Sequence, residues 1–172
     1  ANRFGAVSPT TVSDVSEELQ SFLNSEDLIL DGGQCSVGLE STIIDCRNMT
    51  PTILRPGAVT KSMINSIVLV EFANMAESQL RVSGNLEKHY APKAKVILNK
   101  TPKSGQAYIA FSSFQTPKGV FRISSPKDVH EFAQNLYAGM RRADELGFNE
   151  LIIEVPEGQG IEIALLDRLN KA

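Results

Sequence analysis

Apolar residues along this chain come in short bursts separated by turn-formers, and the spacing within each burst predicts alternating helices and strands. Val12, Val15, Leu19 and Leu23 recur at helical spacing behind Ser8-Pro9-Thr10, whose proline and hydroxyls suit a helix start. Leu28-Ile29-Leu30, closed by Asp31-Gly32-Gly33, predicts a buried strand ending in a tight loop. Strand-like runs follow at 41–46 and at Thr52-Ile53-Leu54, the latter leading into Arg55-Pro56-Gly57. Thr60 to Ile67 predicts a short helix, and Val68-Leu69-Val70 a further strand.

Residues 76–95 show neither period, which is long for a loop inside a compact domain and reads as a linker. The pattern then restarts with Val96-Ile97-Leu98, the run at 107–111 and the run at 119–123. The strongest helical signal spans Val129 to Leu146: Ser125-Pro126 opens it, Val129, Phe132, Ala133, Leu136, Tyr137 and Met140 form its apolar face, and Gly147 closes it. A strand at 151–155 and a last helix with Ile161, Ala164, Leu165 and Leu169 inward complete the chain. The expected organisation is α/β: a partial α/β domain with a mixed or antiparallel sheet over 1–75, a linker over 76–94, and a small domain with a mostly parallel sheet over 95–172. With strand edges and apolar surface uncovered, the first part is expected to associate or to depend on further chain.

Composition narrows the function classes. A formal net charge of −3 supplies no broad basic field, which argues against nonspecific nucleic-acid binding. The two cysteines, Cys35 and Cys46, read as free thiols of a reducing cytosol, and with His89 and His130 they fall short of a four-ligand zinc site. No run approaches a membrane span and no leader opens the chain, so a cytoplasmic location with no membrane contact is expected. The chain lacks an initiator Met and opens on the polar string Asn2-Arg3-Phe4-Gly5, which reads as a cut or processed beginning.

Several segments carry candidate chemistry beside a plainer reading. Residues 31–43 put three glycines, then Glu40-Ser41-Thr42, ahead of a strand; such a loop either presents donors to an anion or is an ordinary turn. It lacks the Gly-Lys-Ser/Thr of a P-loop. Arg55, fixed by Pro56, either grips phosphate or carboxylate or merely exits a strand. Lys88-His89-Tyr90-Ala91-Pro92 is either a lid reaching a neighbouring site or a linker whose tyrosine packs on a domain face. Gly158-Gln159-Gly160 before a helix offers a weak anion site. His130 and the group Arg141, Arg142, Asp144 and Glu145 read as a solvated helix face.

In this order, the glutamate-serine-threonine loop, Leu54-Arg55-Pro56-Gly57, the His89-Tyr90-Ala91-Pro92 linker and the ending with Asp167-Arg168-Leu169 resemble the long, two-domain threonylcarbamoyl-AMP synthases. The resemblance implies the C-terminal part of a YrdC-like α/β domain, a linker and a small Rossmann-like domain. It implies condensation of L-threonine, bicarbonate and ATP to threonylcarbamoyl-adenylate and pyrophosphate, in transfer-RNA modification with downstream partner proteins. By the same resemblance Ala1, Asn2, Arg55, His89 and Tyr90 would bind ATP or the adenylate, and Ser41 with Thr42 the threonine. Mg²⁺ would arrive with ATP, with no organic cofactor, no protein metal site and no protein nucleophile. A serine and a Lys-x-Arg cluster of the family would precede residue 1, so residues 1–172 alone are expected to be inactive. The competing expectations are a nucleotide- or threonine-sensing module and an RNA-binding module, the latter disfavoured by the acidic charge.

Overall fold

The computed structural model describes residues 3, 5–73 and 90–172. Of the residues singled out above, Ala1, Asn2 and His89 lie outside the described residues, as does most of 76–94.

Helix α1 (Val12–Leu19) starts where the hydroxyls promised. The Thr11 side chain accepts from the Asp14 amide and the Asp14 carboxylate accepts from the Thr11 amide at 3.0 Å, a reciprocal cap that satisfies otherwise orphaned donors. Strands β1 (Ile43–Asp45), β2 (Thr52–Arg55) and β3 (Glu71–Phe72) form a mixed sheet in the order β1-β2-β3, antiparallel then parallel. Helix α2 (Lys61–Asn65), capped by Thr60, covers it through Ile64, which packs with Ile53 and Val70.

Two expected strands are corrected. Residues 28–30 join no sheet, and Leu28 and Leu30 are 85% and 89% exposed. An extended apolar run becomes a strand only beside an edge that takes up its backbone bonds, and among the described residues none lies there. The pairing predicted for 68–70 moves to β3: Val70 is fully buried, but its amide is taken by the Asn65 side chain at 2.8 Å, and bonding to β2 begins at Glu71.

Strands β4 (Lys95–Leu98), β5 (Ala107–Ile109), β6 (Phe121–Ser124) and β7 (Glu150–Ile153) form a fully parallel sheet in the order β4-β7-β5-β6. Side chains alternate between its faces as strand geometry requires. Ala107, Ile109, Leu151 and Ile153 face helices α3 (Val129–Glu145) and α4 (Ile161–Leu169), whereas Tyr108 and Ile152 pack on the other side with Ala110. Asp128, rather than the Ser125-Pro126 pair, caps α3, because its carboxylate accepts from the amides of His130 and Glu131. Gly147, at φ 74°, ends it: the Gly147 and Phe148 amides return to the carbonyls of Asp144 and Ala143, which is the Schellman geometry.

The first sheet and the second domain do not stand apart. Val7 belongs to the large α3/α4 core, and Leu39 and Ala58 pack against it. Gly38, at φ 75°, lies so close to α3 that an added Cβ would sit 2.6 Å from the Ala133 carbonyl oxygen and the Gln134 Cα. Gly33 shares the left-handed backbone, at φ 81°, but has open space around it. We therefore expect Gly33→Ala to cost about 1 kcal/mol, the left-handed penalty alone. Gly38→Ala should cost more than about 2 kcal/mol, because the loop must also leave α3. Urea unfolding checks this, and equal losses would contradict the packing described.

Candidate functional site

The 31–43 segment is held at several points before it reaches β1. Asp31 accepts from the Gly33 amide at 2.9 Å, Cys35 donates its amide to the Thr10 carbonyl at 2.9 Å, and Gln134 of α3 donates to the Cys35 carbonyl at 3.2 Å. Glu40 then turns inward. Its Oε1 accepts from the Ser8 hydroxyl at 2.6 Å, and its Oε2 accepts from the Tyr137 phenol at 2.9 Å and from Arg168 Nε at 2.7 Å.

Ser41 follows immediately, and the antiparallel β1–β2 pairing brings Arg55 beside it. Arg55 is buried and donates from Nε and Nη2 to the Ser41 carbonyl at 3.1 and 2.9 Å, with Nη2 also 3.4 Å from the Ser41 hydroxyl. Its side chain also hydrogen-bonds the Tyr90 phenol. Ser41, Arg55 and Tyr90 are thus neighbours in space although far apart in sequence. Thr42 is turned elsewhere, donating its hydroxyl to the Val59 carbonyl at 2.6 Å. Only glycine fits at 57, where a Cβ would lie 2.4 Å from the Thr42 nitrogen, so the Arg-Pro-Gly turn lies directly on the 40–42 backbone.

A hollow of about 520 Å³ opens beside this turn, walled by Val37, Leu39, Glu40, Ser41, Thr42, Ile44, Ala58 and Val59. Ser41 and Thr42 line it; Arg55 and Tyr90 are not among its described walls. Tyr90 is 2% exposed and holds a left-handed backbone, φ 67°, rare for a bulky residue. It stacks on Tyr137 with ring centres 5.8 Å apart, and the Arg168 guanidinium lies 5.4 Å from its ring centre.

Charge in this cluster is closely matched. Burial pushes the Glu40 carboxyl up, but the Ser8 hydroxyl and the Arg168 guanidinium outweigh it and hold the group below the usual carboxylate range. Burial lowers the Arg168 guanidinium, yet the Glu40 carboxylate prevails and raises it. Burial and then the Glu40 charge raise the phenols of Tyr137 and Tyr90, with Arg168 opposing in both.

Sequence reasoning listed neither Glu40 nor Arg168 among the site residues. A signal for Arg168 was present: it follows Ile161 by seven residues and Ala164 by four, which places it on the inward stripe of α4, where a cation needs a partner. Two further readings are corrected. Arg141 is not simply solvated, since its guanidinium pairs with Glu18 at 3.4 Å and donates to the Val7 carbonyl; Arg142 and Glu145 do form an exposed pair. The glycines before α4 leave no open anion site, because the Glu162 carboxylate accepts from the Gly160 amide at 2.9 Å.

Comparison with known proteins meets this geometry from another side. Residues 59–172 match the family described as "Threonylcarbamoyl-AMP synthase, C-terminal domain", two-thirds of the chain. The chain belongs to the threonylcarbamoyl-AMP synthase family. Residues 1–57 match the Sua5/YciO/YrdC family, described as "Telomere recombination". The chain is similar to the threonylcarbamoyl-AMP synthase of Pyrococcus abyssi, 30% identical over all of this chain and 56% of that protein. The synthase of Schizosaccharomyces pombe is 27% identical over all of this chain and 50% of its own length. The chain therefore spans about half the length of the synthases it matches.

Among solved structures, Pyrococcus abyssi Sua5 complexed with L-threonine superposes with a TM-score of 0.78 at 26% identity, covering 99% of this chain and 55% of that one. A variant of the same protein, with a consecutive histidine and tyrosine replaced by alanine, gives the same TM-score and identity. The α/β architecture with a parallel four-stranded sheet agrees with this neighbour. No helix among the described residues is long and apolar enough to cross a membrane.

Replacing Glu40 by Gln is expected to cost about 3 kcal/mol near neutral pH, since it leaves the buried Arg168 with Asp167 as its remaining anionic partner. Because the folded carboxyl is held below its unfolded value of 4.5, the Glu40 contribution is complete above that pH and fades as pH falls through the lower folded value. The stability gap between the parent and Glu40→Gln, from urea curves, should therefore narrow below pH 4.5. At the alkaline end the three tyrosines, undisturbed by tryptophan, should show less tyrosinate absorbance at pH 10 while folded than after unfolding, with Tyr108 raised to about 12 by burial and the nearby Glu154. Stability from these raised phenols is present below pH 10 and is lost above it.

Proposed function

We propose that this chain supplies the C-terminal half of an active threonylcarbamoyl-AMP synthase, which joins L-threonine, bicarbonate and ATP into threonylcarbamoyl-adenylate and pyrophosphate for transfer-RNA modification. The observation that carries the reading is the contact of Ser41, Arg55 and Tyr90 at the edge of the hollow lined by Ser41 and Thr42.

In this reading the threonine nitrogen bonds to the bicarbonate carbon with loss of water. A carbamate oxygen then attacks the α-phosphorus as the bond to pyrophosphate breaks. Negative charge grows on phosphoryl oxygens, and what the protein must provide is placement and positive potential rather than a nucleophile. Ser41 holds the threonine carboxylate or the adjacent carbamate, and Thr42, whose hydroxyl is engaged by the Val59 carbonyl, lines the hollow beside it. Arg55, stiffened by the two hydrogen bonds it donates to the Ser41 carbonyl, brings a fixed cation to the nucleotide phosphates. The family resemblance assigns Ala1, Asn2 and His89 to the nucleotide as well, and magnesium enters with ATP as part of the substrate.

The test is ATP–pyrophosphate exchange dependent on threonine and bicarbonate. Residues 1–172 alone should give none. A fused enzyme, in which the remaining N-terminal portion of the Pyrococcus abyssi relative is placed ahead of residue 1, should exchange. Its Arg55→Ala variant should lose about 2 kcal/mol or more of transition-state stabilisation, a fall of roughly 30-fold or greater in kcat/KM. A folded fused enzyme without exchange would overturn the proposal, and turnover by residues 1–172 would overturn the expectation that they need a partner segment.

A further inference from the structure

The Arg168 guanidinium leaves α4 fully buried and takes hold of the other domain at two places. Nε donates to Glu40 at 2.7 Å, and Nη2 donates to the Pro56 carbonyl at 2.9 Å. Glu40 is the residue before Ser41, and Pro56 is the residue after Arg55. One planar, rigid fork therefore joins the Glu40 side chain to the Pro56 backbone, on the two residues that flank the Ser41–Arg55 pair, and lies 5.4 Å from the Tyr90 ring centre. Nη1 pairs with Asp167, whose other oxygen accepts from Lys171 at 2.7 Å, so the fork is also fixed from its own helix.

We infer that Arg168 is a positioning residue of the synthase site, setting the separation and orientation of Ser41 and Arg55 from within the C-terminal domain. This rests on the functional reading above, in which those two residues meet threonine and phosphate. The inference gives α4 a part in the reaction: the second domain holds the geometry of the first. A lysine at 168 keeps the charge but presents one point donor, so it satisfies Glu40 or the Pro56 carbonyl and not both. Small displacements of positioned groups are costly to rate.

Two measurements test this. On residues 1–172, amide spectra of Arg168→Lys and Arg168→Met should show the Ser41 and Gly57 signals moved while the remote Gly119 signal stays. On the fused enzyme, Arg168→Lys should lower kcat/KM roughly 10- to 100-fold, through a raised KM for L-threonine together with a reduced kcat, at a temperature where circular dichroism shows the variant fully folded. Glu40→Gln with Arg168→Met should be little worse than either alone, as partners in one contact are non-additive. Unmoved Ser41 and Gly57 signals in a folded variant overturn the inference, as does an active parent whose Arg168→Lys variant keeps both kcat and KM. An inactive parent overturns the functional reading and this inference with it, before any Arg168 variant is made.

Discussion

The Arg168 guanidinium is fully shielded from solvent, and the rest of the molecule is arranged around the need to neutralise it there. An unpaired cation at that depth would carry a desolvation penalty of several kcal/mol, so α4 docks in this position only when the Glu40 carboxylate meets it. Glu40 in turn reaches inward only because the loop before it lies flush on α3, which Gly38 permits by having no side chain. The same carboxylate also accepts from Ser8 and Tyr137, so three donors from separate parts of the chain converge on it. Segments from the start, middle and end of the chain thus depend on one ion pair.

That dependence explains which parts of the structure were legible in the sequence. Helix α3 carries seven buried positions on one face with a capping carboxylate before it and a glycine after it, so local pattern and tertiary role agree. The inner strands β5 and β7 were readable for the same reason, as short apolar runs buried on both faces, and the edge strands β4 and β6 as half-buried runs beside them. Residues 28–30 were not, because an apolar run specifies burial and not the edge that would pair with it. Arg141 was misread since it stands in a charged run with the exposed Arg142 and Glu145, while its partner Glu18 lies in another helix. Of the site, Ser41, Arg55 and Tyr90 were singled out from their motifs; Glu40 and Arg168 stand in recognisable motifs too, but their pairing across more than a hundred positions is made only by folding.

The motif residues also change meaning once packed. The glycines of the 31–43 segment looked like freedom to approach a ligand. Gly38 uses that freedom to approach a helix, and Gly57 uses it to lie on the 40–42 backbone. Thr42, a plausible ligand donor by type, is engaged by the Val59 carbonyl. A small-residue loop ahead of a strand therefore says first that two backbones come close, and only the company of Ser41 and Arg55 adds a chemical meaning.

Tyr90 is the position where these constraints meet. Its left-handed backbone costs on the order of 1–3 kcal/mol, which tertiary contacts must offset. What holds it is burial against Tyr137 of α3, the Arg168 cation near its ring, and the hydrogen bond from Arg55. Two of those three supports come from the C-terminal helices and one from the strand that ends in Arg-Pro-Gly. The phenol is therefore held beside Arg55 in part by α3 and α4, through Tyr137 and Arg168. A site assembled in this way has its precision set by helix packing some distance from the hollow, which is why a fold-level contact such as Arg168 with Glu40 belongs in any account of its chemistry.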